Sequence, residues 1–168
     1  DKIVIFDEKT RKFVQSNDFN EAIQVARSAD EGQYIVLINP TEAKENEPKF
    51  PNRGKNSTTA ALKTGSKVNI PGPATFPLWP GQIGKVLDGH NLKYNEYLIV
   101  RVYNEEQAKK NLANAIVKTA ATEVGTDSKS KKPKSLIAEE DLVTGKLLVI
   151  KGTDVSFYIP PTGIEVVS

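Results

Sequence analysis

The chain has 168 residues, with Lys+Arg 23 against Asp+Glu 21, a formal net charge of +2, a single His, and neither Cys nor Met. This inventory excludes a disulfide framework, a zinc–thiolate site, a cysteine nucleophile and a multi-histidine metal centre within the chain. The balanced charge leaves no electrostatic footprint for nucleic acid on the body of the protein, and no apolar run is long enough to span a bilayer.

The chain opens Asp1-Lys2-Ile3-Val4-Ile5-Phe6-Asp7, which lacks the basic start and long apolar middle of a signal peptide, so the expected compartment is the cytoplasm. It begins without Met and closes on the strand-like Ile164-Glu165-Val166-Val167-Ser168, which reads as a piece of a longer chain. Short runs rich in Val, Ile, Tyr and Phe alternate with Gly and Pro breakers, the pattern of a mainly β protein. In chain order, the first strand is Ile3 to Phe6. Phe19, Ala22, Ile23 and Ala26 then recur at helical spacing, with Ser16 or Asn17 as N-cap and Gly32 as the stop.

Strands follow at Tyr34 to Ile38, Lys67 to Ile70, Gln82 to Leu87 and Tyr97 to Tyr103, with a long polar loop from Pro40 to Ala61. A second helix is expected from Glu105 to about Thr122, where Ala108, Leu112, Ala115, Ile116 and Ala120 form a stripe and Glu105 and Lys109 are set for an i,i+4 pair. Gly125 to Ser135 is another polar loop, and strands close the chain at Leu147 to Lys151, Ser156 to Ile159 and Ile164 to Val167.

The sequence answers to itself. Tyr34-Ile35-Val36-Leu37 matches Tyr97-Leu98-Ile99-Val100, and Lys63-Thr64-Gly65 with Val68, Ile70 and Gly72 matches Val143-Thr144-Gly145 with Leu148, Ile150 and Gly152. Phe76, Pro80 and Ile83 to Val86 then match Phe157, Pro160 and Ile164 to Val167, with a one-residue slip. The expected fold class is mainly β (α+β): tandem small antiparallel β-sandwich-like repeat modules with two short helices. Residues 1–33 form an N-terminal strand and helix, 34–90 the first module, and 91–168 the second, with a helical and basic insertion at about 105–140. Neither half can bury both faces alone, so such repeats stabilise one another by stacking.

Gly72, Phe76, Trp79, Pro80, Gly152, Phe157 and Pro160 are the expected architectural corner residues. Glycine admits backbone that a side chain forbids, and proline fixes φ and removes a donor, so neither continues a central ladder. The chain is thereby expected to fold back and lay Phe76, Leu78 or Trp79 over the module core.

The corner, Ile70-Pro71-Gly72-Pro73-Ala74-Thr75-Phe76-Pro77-Leu78-Trp79-Pro80-Gly81-Gln82, resembles the repeat signature of the major vault protein family, and Thr144 to Val167, with its Phe157-Tyr158-Ile159-Pro160 element, resembles the end of such a repeat. The resemblance spans about Tyr34 to Tyr103 and Asp141 to Ser168. It implies tandem antiparallel β modules lining a hollow shell built by lateral association of identical chains. It brings no catalytic residue and no cofactor, and the Asp1 to Gln33 segment and the 105–140 insertion depart from it.

Other motifs resist an enzymatic reading. Lys63-Thr64-Gly65 copies the lys-thr-gly strand of penicillin-recognising serine enzymes, but ser-asp-asn is missing, and Ser128-Lys129-Ser130-Lys131 has ser-x-x-lys spacing inside a polar loop. Gly54-Lys55-Asn56-Ser57-Thr58 lacks the first glycine of a phosphate loop. Asn56-Ser57-Thr58 fits the glycosylation pattern without a secretory context, and Asp88-Gly89-His90 reads as a turn. Trp79 and Tyr158 read as core aromatics. Lys129, Lys131, Lys132 and Lys134 are the concentrated charge, a candidate anion-binding loop. The leading expectation is a non-enzymatic assembly module whose partners are other copies of itself. The alternative is a β scaffold presenting its polar and basic loops to a protein, glycan or anionic surface.

Overall fold

The computed structural model describes residues 3–7, 9–10, 12–18, 26–44, 47–48, 60–119 and 137–167. The chain divides into two units, Asp1–Leu87 and Asp88–Ser168. It is mainly β, with small antiparallel sheets, and every strand expected from the sequence is present.

The first unit opens with a hairpin of β1 (Ile3–Asp7) and β2 (Lys12–Ser16), paired from Ile3 opposite Ser16 to Asp7 opposite Lys12. Asp7 caps the turn: its carboxylate accepts from Thr10 Oγ1 at 2.7 Å and from the Lys9 amide at 3.0 Å. Those bonds, the Thr10 hydroxyl first, hold the Asp7 carboxyl below its ordinary value. Further along, β3 (Arg27–Ala29) pairs with β8 (Ala74–Phe76), while β4 (Gln33–Ile38) lies between β7 (Lys67–Pro71) and β9 (Ile83–Asp88). A short hairpin, β5 (Ala43–Lys44) with β6 (Glu47–Pro48), interrupts the segment expected to be loop, and Thr41 bridges to Leu62.

The second unit repeats this order. Its β10 (His90–Asn91) pairs with β14 (Val155–Ile159), and β11 (Tyr97–Val102) lies between β13 (Leu147–Lys151) and β15 (Ile164–Val166). An added strand, β12 (Ile116–Thr119), borders β14. Alternation along β11 turns Leu98, Val100 and Val102 inward, where they join Ile150, Leu142, Val155, Tyr158 and Ile164 in one core. Val100 and Val102 are fully buried, each contributing about 2 kcal/mol by the usual transfer scale.

The repetition extends to individual hydrogen bonds. The Gln33 amide donates to Asp30 O at 3.0 Å and the Glu96 amide to Lys93 O at 2.9 Å. In each unit the side chain at the equivalent position folds back on the turn, Gln33 Oε1 accepting from the Asp30 amide and Glu96 Oε2 from the Lys93 amide. The Gly72 amide donates to Gln33 O at 2.8 Å and the Gly152 amide to Glu96 O at 2.9 Å. These bonds require glycine for space: a Cβ on Gly72 would sit 2.1 Å from Asp30 O, and one on Gly152 would sit 1.8 Å from Lys93 O.

The structure corrects the alignment of the halves beyond this point. Thr75 lies opposite Ser28 and Phe157 opposite Asn91, so Phe76 corresponds to Tyr158 and not to Phe157. Gly81 and Gly163 both take positive φ and follow matching turns, closed by Gln82 N to Trp79 O at 2.9 Å and Ile164 N to Pro161 O at 3.2 Å. Pro80 therefore corresponds to Thr162, and Pro160 to Leu78. The sequence match followed like residues, whereas strand register follows hydrogen bonds.

The helices differ from expectation as well. In the first, residues 19–25 lie outside the described residues, while Ala26 is not helical and Arg27–Ala29 forms β3. The second is an α-helix, α1, only over Glu105–Asn111, followed by a 3₁₀ turn at Leu112–Asn114. Ile116 and Val117, assigned to the helical stripe or its continuation, instead pair with Ile159 and Tyr158. Asn111 and Asn114 are poor helix formers and β-branched residues follow, so strand pairing prevails. Within α1 the expected Glu105–Lys109 pair forms at 2.6 Å, and the Lys109 ammonium holds the Glu105 carboxyl below its ordinary value. Asn104 caps the helix, its Oδ1 accepting from the Gln107 amide at 3.0 Å.

Candidate interaction surface

The side chains of β13, β11 and β15 that do not point into the core lie on one face of a three-stranded sheet. Register fixes their layout, because residues directly opposite one another point the same way. Leu147, Arg101 and Glu165 form one row, and Val149, Ile99 and Val167 the next, where the Val167 amide donates to Ile99 O at 2.9 Å. Lys151 and Tyr97 form the third.

This face is apolar and open. Tyr97 is 63% exposed, Val149 58%, Leu147 57% and Val167 54%. Across it, Arg101 Nε donates to Glu165 Oε1 at 2.9 Å, and its Nη2 reaches the same oxygen. Lys151 occupies the corner diagonal to Glu165. A contiguous apolar area with a charged border is the pattern of an interaction surface.

The equivalent face of the first unit is more covered. Tyr34, at the position of Tyr97, is 2% exposed, and this burial raises its hydroxyl above the ordinary tyrosine value. Lys67 and Asn69 stand where the second unit has Leu147 and Val149, and both are half-buried.

Gly72 and Gly152 carry the close approaches described above. Phe76, Leu78, Trp79 and Pro80 are half-buried, and the Trp79 amide donates to Gln82 Oε1 at 2.9 Å. Pro160 is buried, and half-buried Phe157 lies under Lys118, whose Nζ is 5.3 Å from the ring centroid. Tyr158 is 1% exposed, a core residue that offers no platform to a ligand.

His90 lies in β10 opposite Tyr158, and burial lowers its imidazole below the ordinary value. Lys63-Thr64-Gly65 forms an exposed turn, in which the Ser66 amide donates to Lys63 O at 3.2 Å. Lys129, Lys131, Lys132, Lys134, Ser128 and Gly54 to Thr58 lie outside the described residues. Among the described residues no group of three or more His, Asp or Glu side chains could hold a metal, and no helix is long and apolar enough to cross a membrane.

Sequence reasoning missed the open sheet face. Its signal was present: Leu147-Leu148-Val149-Ile150 and Leu98-Ile99-Val100 are apolar on both alternating sets, the pattern of strands covered on both sides. Comparison with protein-family models, with curated proteins and with solved structures returned no match.

Proposed function

We propose that this chain is a non-enzymatic structural repeat module that builds a large particle by self-association, as the vault repeats it resembles do. The observation that carries the reading is the open apolar face of the second sheet, formed by Tyr97, Ile99, Leu147, Val149 and Val167. Water contact at such a face is unfavourable, and covering it supplies the drive for association. Tandem modules of one topology support the reading, because repeated surfaces let many modest contacts add up across an assembly.

Sedimentation velocity of the chain from micromolar to millimolar concentration, with negative-stain imaging of the concentrated sample, tests this reading. The expected result is a weight-average mass that rises with concentration, towards regular assemblies. A monomer throughout overturns it and directs attention to the alternative, a β scaffold binding an unlike partner through its polar loops.

A further inference from the structure

We propose that the open face of the second unit is covered by the same face of a second copy, the two sheets crossing at nearly a right angle about a two-fold axis. The inference rests on the assembly reading and names its contact. A two-fold interface brings a surface patch onto itself, so the charges on this face decide which orientation is compatible.

Lys151 and Glu165 lie at diagonally opposite corners of the apolar field, with Ile99 between them at its centre. An axis along the strands stacks Arg101 on Arg101, and an axis along the Lys151–Glu165 diagonal stacks each charge on its own copy. An axis across the strands leaves Lys151 over Leu147. The remaining diagonal, through Leu147 and Ile99, brings Lys151 over Glu165 of the second copy and reciprocally.

The other pairings on this axis are also compatible. Leu147 meets Leu147, Ile99 meets Ile99, and Tyr97 meets Val167. Val149 meets the aliphatic stem of Arg101, which can lie along apolar surface while its guanidinium remains with Glu165. Face-to-face sheets crossing near a right angle are an established packing class. Opposite-charge pairs at the border fix the orientation, while the apolar centre supplies the affinity.

The test is sedimentation velocity of the 168-residue chain and three variants, each checked for an unchanged circular dichroism spectrum. Lys151→Glu and Glu165→Lys should each weaken self-association about 10-fold or more, because like charges then meet at both corners. An equimolar mixture of these variants should restore it, since each mixed pair again places a cation over a carboxylate twice. Leu147→Glu, at an exposed position that meets its own copy on this axis, should abolish association by setting two carboxylates against one another, and mixing with either charge variant should not rescue it.

Self-association that survives Leu147→Glu overturns this face as the contact while leaving the assembly reading standing. Loss in each charge variant without recovery in the mixture overturns the diagonal two-fold. A monomeric wild-type chain at millimolar concentration overturns the assembly reading and this contact with it.

Discussion

The two units share a strand order and a set of hydrogen bonds, yet their outer sheet faces differ in exposure. In the first, Lys67 and Asn69 are half-buried and Tyr34 is almost wholly buried; in the second, Leu147, Val149 and Tyr97 are exposed. Their inner faces, by contrast, match residue for residue: Ile35 and Leu37 pair with Ile70 and Val68, as Leu98 and Val100 pair with Ile150 and Leu148. The comparison separates what makes the module fold from what the module presents. Inner apolar residues and glycine close approaches define the fold, and outer positions are left to vary with their surroundings.

A second contrast concerns how the units close the turn after their central strand. In the second unit the Gly145 amide donates to the main-chain oxygen of Val102 at 2.7 Å, and the Tyr103 amide to Gly163 O at 2.9 Å. In the first, the side chain of Asn39 serves both ends, with Oδ1 accepting from the Gly65 amide at 2.8 Å and Nδ2 donating to Gly81 O at 2.9 Å. Asn39 sits at φ 58, in the left-handed region that asparagine tolerates. These two bonds are thus made by main chain in one unit and by side chain in the other, while the Asn39 amide to Ser66 O and the Val102 amide to Lys146 O form in both.

The largest effect that would break this comparison is at the shared glycines. Gly152→Ala and Gly72→Ala should each cost about 3 kcal/mol or more, because the new methyl meets a backbone oxygen that cannot yield without breaking the turn. Chemical denaturation followed by circular dichroism reads both, and near-neutral values would show that the turns are not equivalent constraints. Tyr34→Ala should cost about 3 kcal/mol, whereas Tyr97→Ala should change stability by less than about 0.5 kcal/mol. Equal losses in the monomer would remove the contrast between covered and open faces.

Asn39→Ala should cost about 2 kcal/mol, since it removes two bonds and leaves a left-handed residue without compensation. The corresponding change Val102→Ala tests packing alone, so only the first variant should expose the Gly65 amide to faster hydrogen exchange. Asn104→Ala, removing the cap of a helix that has no counterpart among the described residues of the first unit, should cost about 1 kcal/mol.

The smallest effect is a pH dependence confined to the second unit. Burial lowers the folded-state value for His90, so the unfolded chain binds the proton more readily. This contribution is present above the ordinary histidine value and is lost as pH falls through the lower folded value. Stability should therefore decline slightly on acidification just below the ordinary histidine range, and His90→Gln should flatten that slope in thermal melts taken across it. An unchanged slope would assign the dependence to carboxylates instead.

Much of the fold was legible in the sequence. Each expected strand formed because Val, Ile, Leu and Tyr alternate between breakers, and the tandem likeness of Tyr34-Ile35-Val36-Leu37 to Tyr97-Leu98-Ile99-Val100 corresponds to central strands with the same neighbours. The shorter strands β3, β8 and β10 escaped notice because segments of two or three residues carry too little periodicity to read. Ile116 and Val117 were misassigned because an alanine-rich helical stripe ran into them, and only their partners on β14 reveal the change of structure.

The sequence by itself determined the central strands, the doubling of the module and the glycine corners, since each depends on local pattern and backbone sterics. Tertiary structure decided the register of the second corner, the shortening of α1, and the contrast between a buried Tyr34 and an exposed Tyr97. Register and burial are settled by what lies opposite a residue in space, and identical local runs carry no record of that neighbour.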